Sequence, residues 1–140
     1  MGCPLDRATV VGSIKMTRQA TRATPEHPLL GIEFSLAVST HASEELVIAR
    51  AWRAAPDNHL LVIIPRHVQR GASIARLLEE NGLRVTLRTE HRIPPSDTDI
   101  LIADTTGEVD DFCAHAKLIF MGGSMVKHGG HNVIEAAARG

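Results

Sequence analysis

The chain has 140 residues, a formal net charge of −1 and 44% hydrophobic residues, which together indicate one globular domain. A nearly neutral chain offers no overall attraction to nucleic acid or to an anionic membrane, so neither is expected as a partner. Aromatic residues make up only 3% of the chain, so an aliphatic core is predicted. The two cysteines lack a CxxC spacing, the histidines match no zinc pattern, and no glycine fingerprint for a dinucleotide is present, so neither metal nor cofactor is expected.

The predicted elements alternate between strands and helices along most of the chain. Residues 9–16 form a short apolar run, and residues 17–31, with two prolines and no periodicity, are predicted to be a loop or linker. Strands are predicted at 32–39, 59–65, 84–89, 98–104 and 117–122. Helices are predicted at 40–52, 68–82, 106–116 and 132–139. This alternation predicts an α/β fold, a Rossmann-like open parallel sheet with helices on both faces.

Local patterns add detail to these elements. The aliphatic run at 59–65 is typical of a central parallel strand, and residues 84–92 are interpreted as one face of an edge strand. In the helix at 68–82, Ile74, Leu77 and Leu78 are predicted to face inward, and Gly82 is predicted to end it. Glu44 and Glu45 are expected to be solvated or to complement the positive end of the helix dipole rather than to be catalytic, unless a partner domain faces them.

Polar or glycine-rich turns follow four of the predicted strands. In open parallel sheets ligands bind beyond the carboxyl ends of the strands, so these turns are the candidate binding site. They supply candidate ligand groups at Thr40, His41, Arg66, His67, Asp104, Thr105 and Ser124. Arg66 either binds a phosphate or carboxylate through its guanidinium or is only a cation at the end of a strand. His41 either binds a ligand or caps the helix.

Glycines concentrate after the last predicted strand. Gly122, Gly123, Gly129 and Gly130 permit positive φ angles and a close backbone approach, and the helix after them offers unpaired N–H groups to an anion. Asn132 is placed to cap that helix. Glu135 then falls in its first turn, where a carboxylate can accept bonds from sugar hydroxyls; the alternative is a tight loop followed by an acid that suits the dipole.

Together the stretches "STHASEE", "PRH", "DTTGE", "FMGGSMV" and "GGHNVIEAAARG" resemble the carboxyl-terminal half of bacterial 3-deoxy-D-manno-octulosonic acid (Kdo) transferases. "VVGSIKM" resembles the segment that leads into that half, so the resemblance runs from about residue 10 to residue 140. It implies the two-domain glycosyltransferase fold called GT-B. It also implies transfer of Kdo from CMP-Kdo to a lipid A precursor in lipopolysaccharide biosynthesis, at the cytoplasmic face of the bacterial inner membrane.

The resemblance assigns expected roles to the candidate residues. Donor-cleft residues would be Gly122, Gly123 and Ser124; residues near the CMP would be Gly130, His131 and Asn132; and Glu135 would accept bonds from the ribose. Arg66 and the turn formed by Thr105, Gly107 and Glu108 would face the nucleotide or its phosphate. Ser39, Thr40 and His41 would lie near the same cleft. Val133 and Ala136 stand where the family usually has proline, which removes some rigidity from the start of that helix.

The family's amino-terminal domain carries the membrane anchor, the acceptor site and the glutamate taken as catalytic base, and these motifs are not found here. Residues 1–140 are therefore expected to form a partial donor-binding domain that is soluble, contains no catalytic residue, binds CMP weakly and does not turn over alone. Contact with the lipid A precursor and the membrane would run through the other domain. The alternatives are a non-catalytic nucleotide- or anion-binding module, a GT-B relative that uses a UDP-sugar, and an inactive fragment.

Overall fold

A computed structural model of the chain describes Leu29, residues 31–56 and residues 59–123. Its strands are β1 (Phe34–Thr40), β2 (Leu60–Pro65), β3 (Val85–Leu87), β4 (Ile100–Ile102) and β5 (Leu118–Met121). Its helices are α1 (Glu44–Arg53), α2 (Gly71–Glu79) and α3 (Val109–His115), and a short 3₁₀ helix, Val68–Arg70, leads into α2. The apolar run at 9–16, most of the predicted loop at 17–31 and the predicted helix at 132–139 lie outside the described residues.

The five strands form one parallel sheet in the order β3-β4-β2-β1-β5. Residues 61–65 of β2 are all buried, because helices cover this central strand on both faces. Among the described strands β3 pairs only with β4, so it forms an edge of the described sheet, as predicted for residues 84–92. The predicted open parallel sheet with helices on both faces is therefore confirmed.

Two hydrophobic clusters hold the helices against the sheet. On one face Ala49, Ile74 and Leu78 from α1 and α2 pack on aliphatic residues of β2 and β4. On the other face Phe112 of α3 meets Phe34 of β1 edge to face, with ring centroids 6.0 Å apart. Burying one leucine, isoleucine or phenylalanine side chain contributes about 1.5–3 kcal/mol. The core is mainly aliphatic, as predicted, but a phenylalanine pair lies within the second cluster.

The end of α2 follows the predicted pattern except at one position. Gly82 has a φ of +77°, and the N–H of Leu83 donates to the carbonyl of Leu78 at 3.2 Å, which terminates the helix. Ile74 and Leu78 are buried, but Leu77 is 37% exposed, so the prediction that it faces inward is wrong. Leu77 and Leu78 are 100° apart on the helix, and only Leu78 falls within the stripe that faces the sheet.

A backbone irregularity near the end of β1 prepares the candidate site. Ser39 has a φ of +57°, and the pairing of β1 with β2 shifts register between Val38 and Thr40. In a regular strand Val38 and Thr40 would lie on the same face, but the shift pairs them with the consecutive residues Ile64 and Pro65, so they point to opposite faces. Both are buried, at 4% and 0% exposure. Thr40 is thereby turned toward the start of α1.

Candidate functional site at the carboxyl ends of the strands

The turns predicted to bind a ligand lie side by side along one edge of the sheet. β4, β2, β1 and β5 are consecutive neighbours, so the turns that follow them form a continuous row. The described members of the predicted site in this row are Ser39, Thr40, His41, Arg66, His67, Thr105, Gly107, Glu108, Gly122 and Gly123. Ser124, Gly130, His131, Asn132 and Glu135 lie outside the described residues, and their roles stay predictions.

Gly122 marks a very close approach between the ends of β1 and β5. Its N–H donates to the carbonyl of Val38 at 2.8 Å. A Cβ atom at this position would lie only 2.4 Å from the carbonyl oxygen of Ser39 and 2.6 Å from the Cα of Thr40. No side chain fits in that space without moving the backbone, so glycine is required there. Gly123 follows with a φ of +81°, a backbone conformation that favours glycine.

Glu44 holds this glycine turn in place. Its carboxylate accepts the N–H of Gly123, with both oxygens at 2.9 Å, and the N–H of His41 at 2.8 Å. Glu44 is only 1% exposed, so two backbone donors rather than water satisfy a buried charge at the positive end of α1. Of the two roles expected for this acid, the structure agrees with the one that complements the helix dipole and not with the solvated one.

Glu45 forms a second buried network one residue further along α1. Its Oε1 accepts the hydroxyl of Thr40 at 3.1 Å and the Nη1 of Arg70 at 2.8 Å. Glu45 is fully buried and lies in the first turn of α1, so it too complements the helix dipole and is not solvated. Its Oε2 has no hydrogen-bond partner in the described part of the chain. The Thr40 hydroxyl, predicted to lie near a ligand, is occupied by this carboxylate.

The turn after β2 places Arg66 and His67 at the surface. The N–H of Arg66 donates to the carbonyl of Thr40 at 2.9 Å, which fixes the turn to the end of β1. Both side chains are exposed. His67 caps the 3₁₀ helix through its carbonyl, which accepts the N–H of Arg70 at 3.0 Å. Arg66 and His67 thus follow the buried strand β2, and their roles in binding stay predictions.

The turn after β4 is stabilised from within. Glu108 makes two bonds to Arg88, from Nε at 3.2 Å and from Nη2 at 2.6 Å, and it also accepts the hydroxyl of Thr105. Arg88 is nearly buried, donates further to the carbonyl of Arg92 and lies 6.0 Å from the centre of the Phe112 ring. The carboxylate of Glu108 is thus bound to its own chain, while Gly107, with a φ of +88°, remains exposed.

Sequence reasoning missed Glu44, Glu45 and Arg70 as parts of this edge. Two acids in the first turn of a helix look the same whether they are solvated or buried, because both arrangements suit the helix dipole. The partner of Glu44 is 79 residues away at Gly123, so no local pattern reveals it.

Two other hollows lie away from the strand ends that carry the predicted residues. One of about 910 Å³ opens at the amino ends of the strands, where Arg84 and Asp99 are paired with each other. The other, of about 450 Å³, is an apolar groove between α1 and β5, lined by residues such as Val47 and Leu118. Within the described ranges no group of three metal-binding side chains comes together, and no helix is long and apolar enough to cross a bilayer.

Comparison with known proteins gives a consistent result. No protein-family model matches the chain. A 3-deoxy-D-manno-octulosonic acid transferase of Haemophilus influenzae is 35% identical over 106 residues, which cover 74% of this chain and 25% of the relative. A relative from Rickettsia bellii with the same name is 30% identical over 142 residues, covering 95% of this chain and 34% of the relative. A probable mitochondrial 3-deoxy-D-manno-octulosonic acid transferase of Arabidopsis thaliana is 36% identical over 110 residues.

The solved structures agree. The C-terminal CMP-Kdo binding domain of WaaA from Acinetobacter baumannii matches with a TM-score of 0.70 and 26% identity, covering 86% of this chain and 65% of that one. The fold and the edge of polar turns define a Rossmann-like domain of the GT-B glycosyltransferase class. The chain belongs to the 3-deoxy-D-manno-octulosonic acid transferase family, as a homologue of its carboxyl-terminal domain. It spans about a quarter of the length of the H. influenzae relative.

Proposed function

We propose that this chain is the donor-binding half of a glycosyltransferase that transfers Kdo from CMP-Kdo to a lipid A precursor. The observation that carries the proposal is the row of turns at the carboxyl ends of β4, β2, β1 and β5. It matches the place where open parallel sheets bind ligands. The structural relative supports it, since that domain is described as binding CMP-Kdo.

The expected reaction displaces CMP from the anomeric carbon of Kdo by an acceptor hydroxyl. Negative charge develops on the departing phosphate, and fixed cations and N–H groups stabilise such charge. Arg66 is exposed beside the buried end of β2 and is the proposed cation from the predicted set. The side chains of Thr105 and Glu108 are bonded to each other, so the proposed contribution of their turn is its exposed backbone around Gly107.

The glycine turn after β5 is proposed to act through its shape. The N–H of Gly123 is bonded to Glu44, and Gly122 lets the chain pass close to β1. We propose that Ser124 lines the donor cleft, that Gly130, His131 and Asn132 approach the CMP, and that Glu135 accepts the ribose hydroxyls.

Transfer also needs a general base within about 3 Å of the acceptor hydroxyl and a surface that binds the acceptor. We place both in the amino-terminal domain of the family, together with attachment to the cytoplasmic face of the inner membrane. Holding two reactants together contributes about 7–11 kcal/mol in favourable cases, so this chain alone is expected to bind donor without transferring it.

The proposal is tested by titrating the 140-residue chain with CMP, UMP and cytidine while recording ¹⁵N–¹H spectra. CMP is expected to shift the amides of Arg66, His67 and the residues from Gly122 onward, and UMP to bind more weakly. Tighter binding of UMP would favour a UDP-sugar relative, because cytosine and uracil differ in their hydrogen-bonding edges. A folded spectrum that does not change up to millimolar CMP would contradict the donor-site proposal.

A further inference from the structure

The turn between β2 and α2 is fixed to the end of β1 at two points. The N–H of Arg66 donates to the carbonyl of Thr40 at 2.9 Å, and Nη1 of Arg70 donates to Oε1 of Glu45 at 2.8 Å. The two arginines are four residues apart on one short segment. Their positions relative to β1 are therefore set before any ligand binds.

Glu45 is unusual as the partner of an arginine. It is fully buried, yet only Oε1 is bonded, to Thr40 and Arg70, and the equally buried Oε2 has no partner in the described ranges. A buried carboxylate with one unsatisfied oxygen is costly and needs an explanation beyond stability. The explanation that we draw is that Glu45 orients Arg70.

A second arginine–glutamate pair in the same molecule shows what a saturated structural pair looks like. Arg88 uses two nitrogens on Glu108 and a third on a carbonyl, and its side chain is 6% exposed. Arg70 uses one nitrogen on Glu45, and its side chain is 29% exposed. An arginine has five N–H donors, and no acceptor within the described residues is bonded to the others of Arg70.

We propose that Arg70 binds an oxyanion of the donor, and that Glu45 is a positioning residue that holds its guanidinium. The anion is a phosphate or a sugar carboxylate, since both match the planar fork of an arginine. Arg66, exposed on the same turn, adds a second cation. Prior fixation by Glu45 and Thr40 reduces the ordering cost that a flexible arginine would incur on binding. This inference rests on the proposed donor site.

The test compares Arg70→Met and Arg70→Lys with wild type by calorimetric or NMR titration of the full chain. The ligands are CMP, cytidine, and free Kdo added with CMP present. If the anion is the phosphate, Arg70→Met weakens CMP binding by about tenfold or more while cytidine binding stays within about twofold. If it is the carboxylate, CMP binding is kept and the response to Kdo is lost.

Three further variants give the test its controls. Glu45→Gln is expected to weaken the same ligand in the same direction but less, because the side-chain shape is kept and the charge that orients Arg70 is lost. Arg76→Met removes an equal charge from an exposed site six residues further along α2 and is expected to change nothing. Arg70→Lys keeps the positive charge but lacks the planar guanidinium. If Arg70→Met fails to fold, the comparison of ligand binding is made with Arg70→Lys.

The outcomes separate this inference from the proposed function. Wild-type binding of CMP and Kdo that is unchanged in both Arg70 variants would overturn the role of Arg70 and leave the donor site standing. A wild-type chain that responds to none of the ligands would refute the donor site itself, and the role of Arg70 would fall with it.

Discussion

Glu44→Gln is the substitution that most directly tests how the candidate site is held together. The carboxylate lies between two backbone N–H groups, those of His41 and Gly123, and only 1% of the residue is exposed. Glutamine has the same shape but replaces one oxygen with an NH₂ group. Since Oε2 lies within bonding distance of both donors, one amide oxygen can still accept from both. The new NH₂ group then faces the N–H of Gly123 at about the 2.9 Å of the lost contact.

The magnitude follows from these contacts. Losing one bond to a charged group costs about 1.5–3 kcal/mol, which is a large part of the 5–15 kcal/mol that stabilises a typical domain. At roughly 4 °C per kcal/mol for a domain of this size, Tm is expected to fall by about 6–12 °C. Glu44→Ala is expected to cost more, about 2–6 kcal/mol, because both N–H groups are left buried without an acceptor.

The assay is thermal unfolding by circular dichroism, with ¹⁵N–¹H spectra of the same samples. Glu79→Gln, an exposed acid on α2, is the matched control and is expected to leave Tm within about 2 °C. The amides of His41 and Gly123 are expected to shift most in Glu44→Gln. If Glu44→Gln has the Tm of wild type and neither amide signal moves, the carboxylate does not hold the glycine turn, and the structural role of Glu44 is refuted.

Two other substitutions test separate parts of the fold. Gly122→Ala is expected to lower the free energy of unfolding by about 2 kcal/mol or more, and the urea midpoint with it, because its Cβ would lie 2.4 Å from the carbonyl oxygen of Ser39. Gly107→Ala, with a φ of +88° and open space around it, should cost only about 1–2 kcal/mol of backbone strain. Equal losses in the two variants would contradict the steric argument. The guanidinium of Arg84 lowers the pKa of Asp99 below its ordinary 3.8, so this pair stabilises the fold above pH 3.8, and its contribution is lost as the pH falls through the depressed pKa. Asp99→Asn should therefore destabilise the chain at neutral pH and flatten the acid limb of a stability–pH curve, and an acid limb identical to wild type would show that the pair does not contribute.

The alternation of apolar runs with amphipathic stretches was sufficient to predict the described part of the fold. A continuous aliphatic strand such as β2 is typical of burial on both faces, and a helix between successive strands returns the chain to the same end of the sheet, which favours parallel pairing. The choice of edge for the ligand followed from the same rule, since polar residues such as Arg66 and Thr105 come directly after strands. The motifs then indicated the family, which the relatives support.

Patterns in the amino-acid sequence are enough to predict the layers of this protein, the alternation of strands and helices along the chain, and which turns follow the carboxyl ends of strands. The contacts of the side chains at that end depend on how distant segments pack together. Glu44 and Glu45 are buried because a turn 79 residues away and an arginine 25 residues away approach the same helix end. Periodicity records which face of an element is apolar, but a hydrogen bond between distant segments depends on how the elements dock, which no local pattern contains.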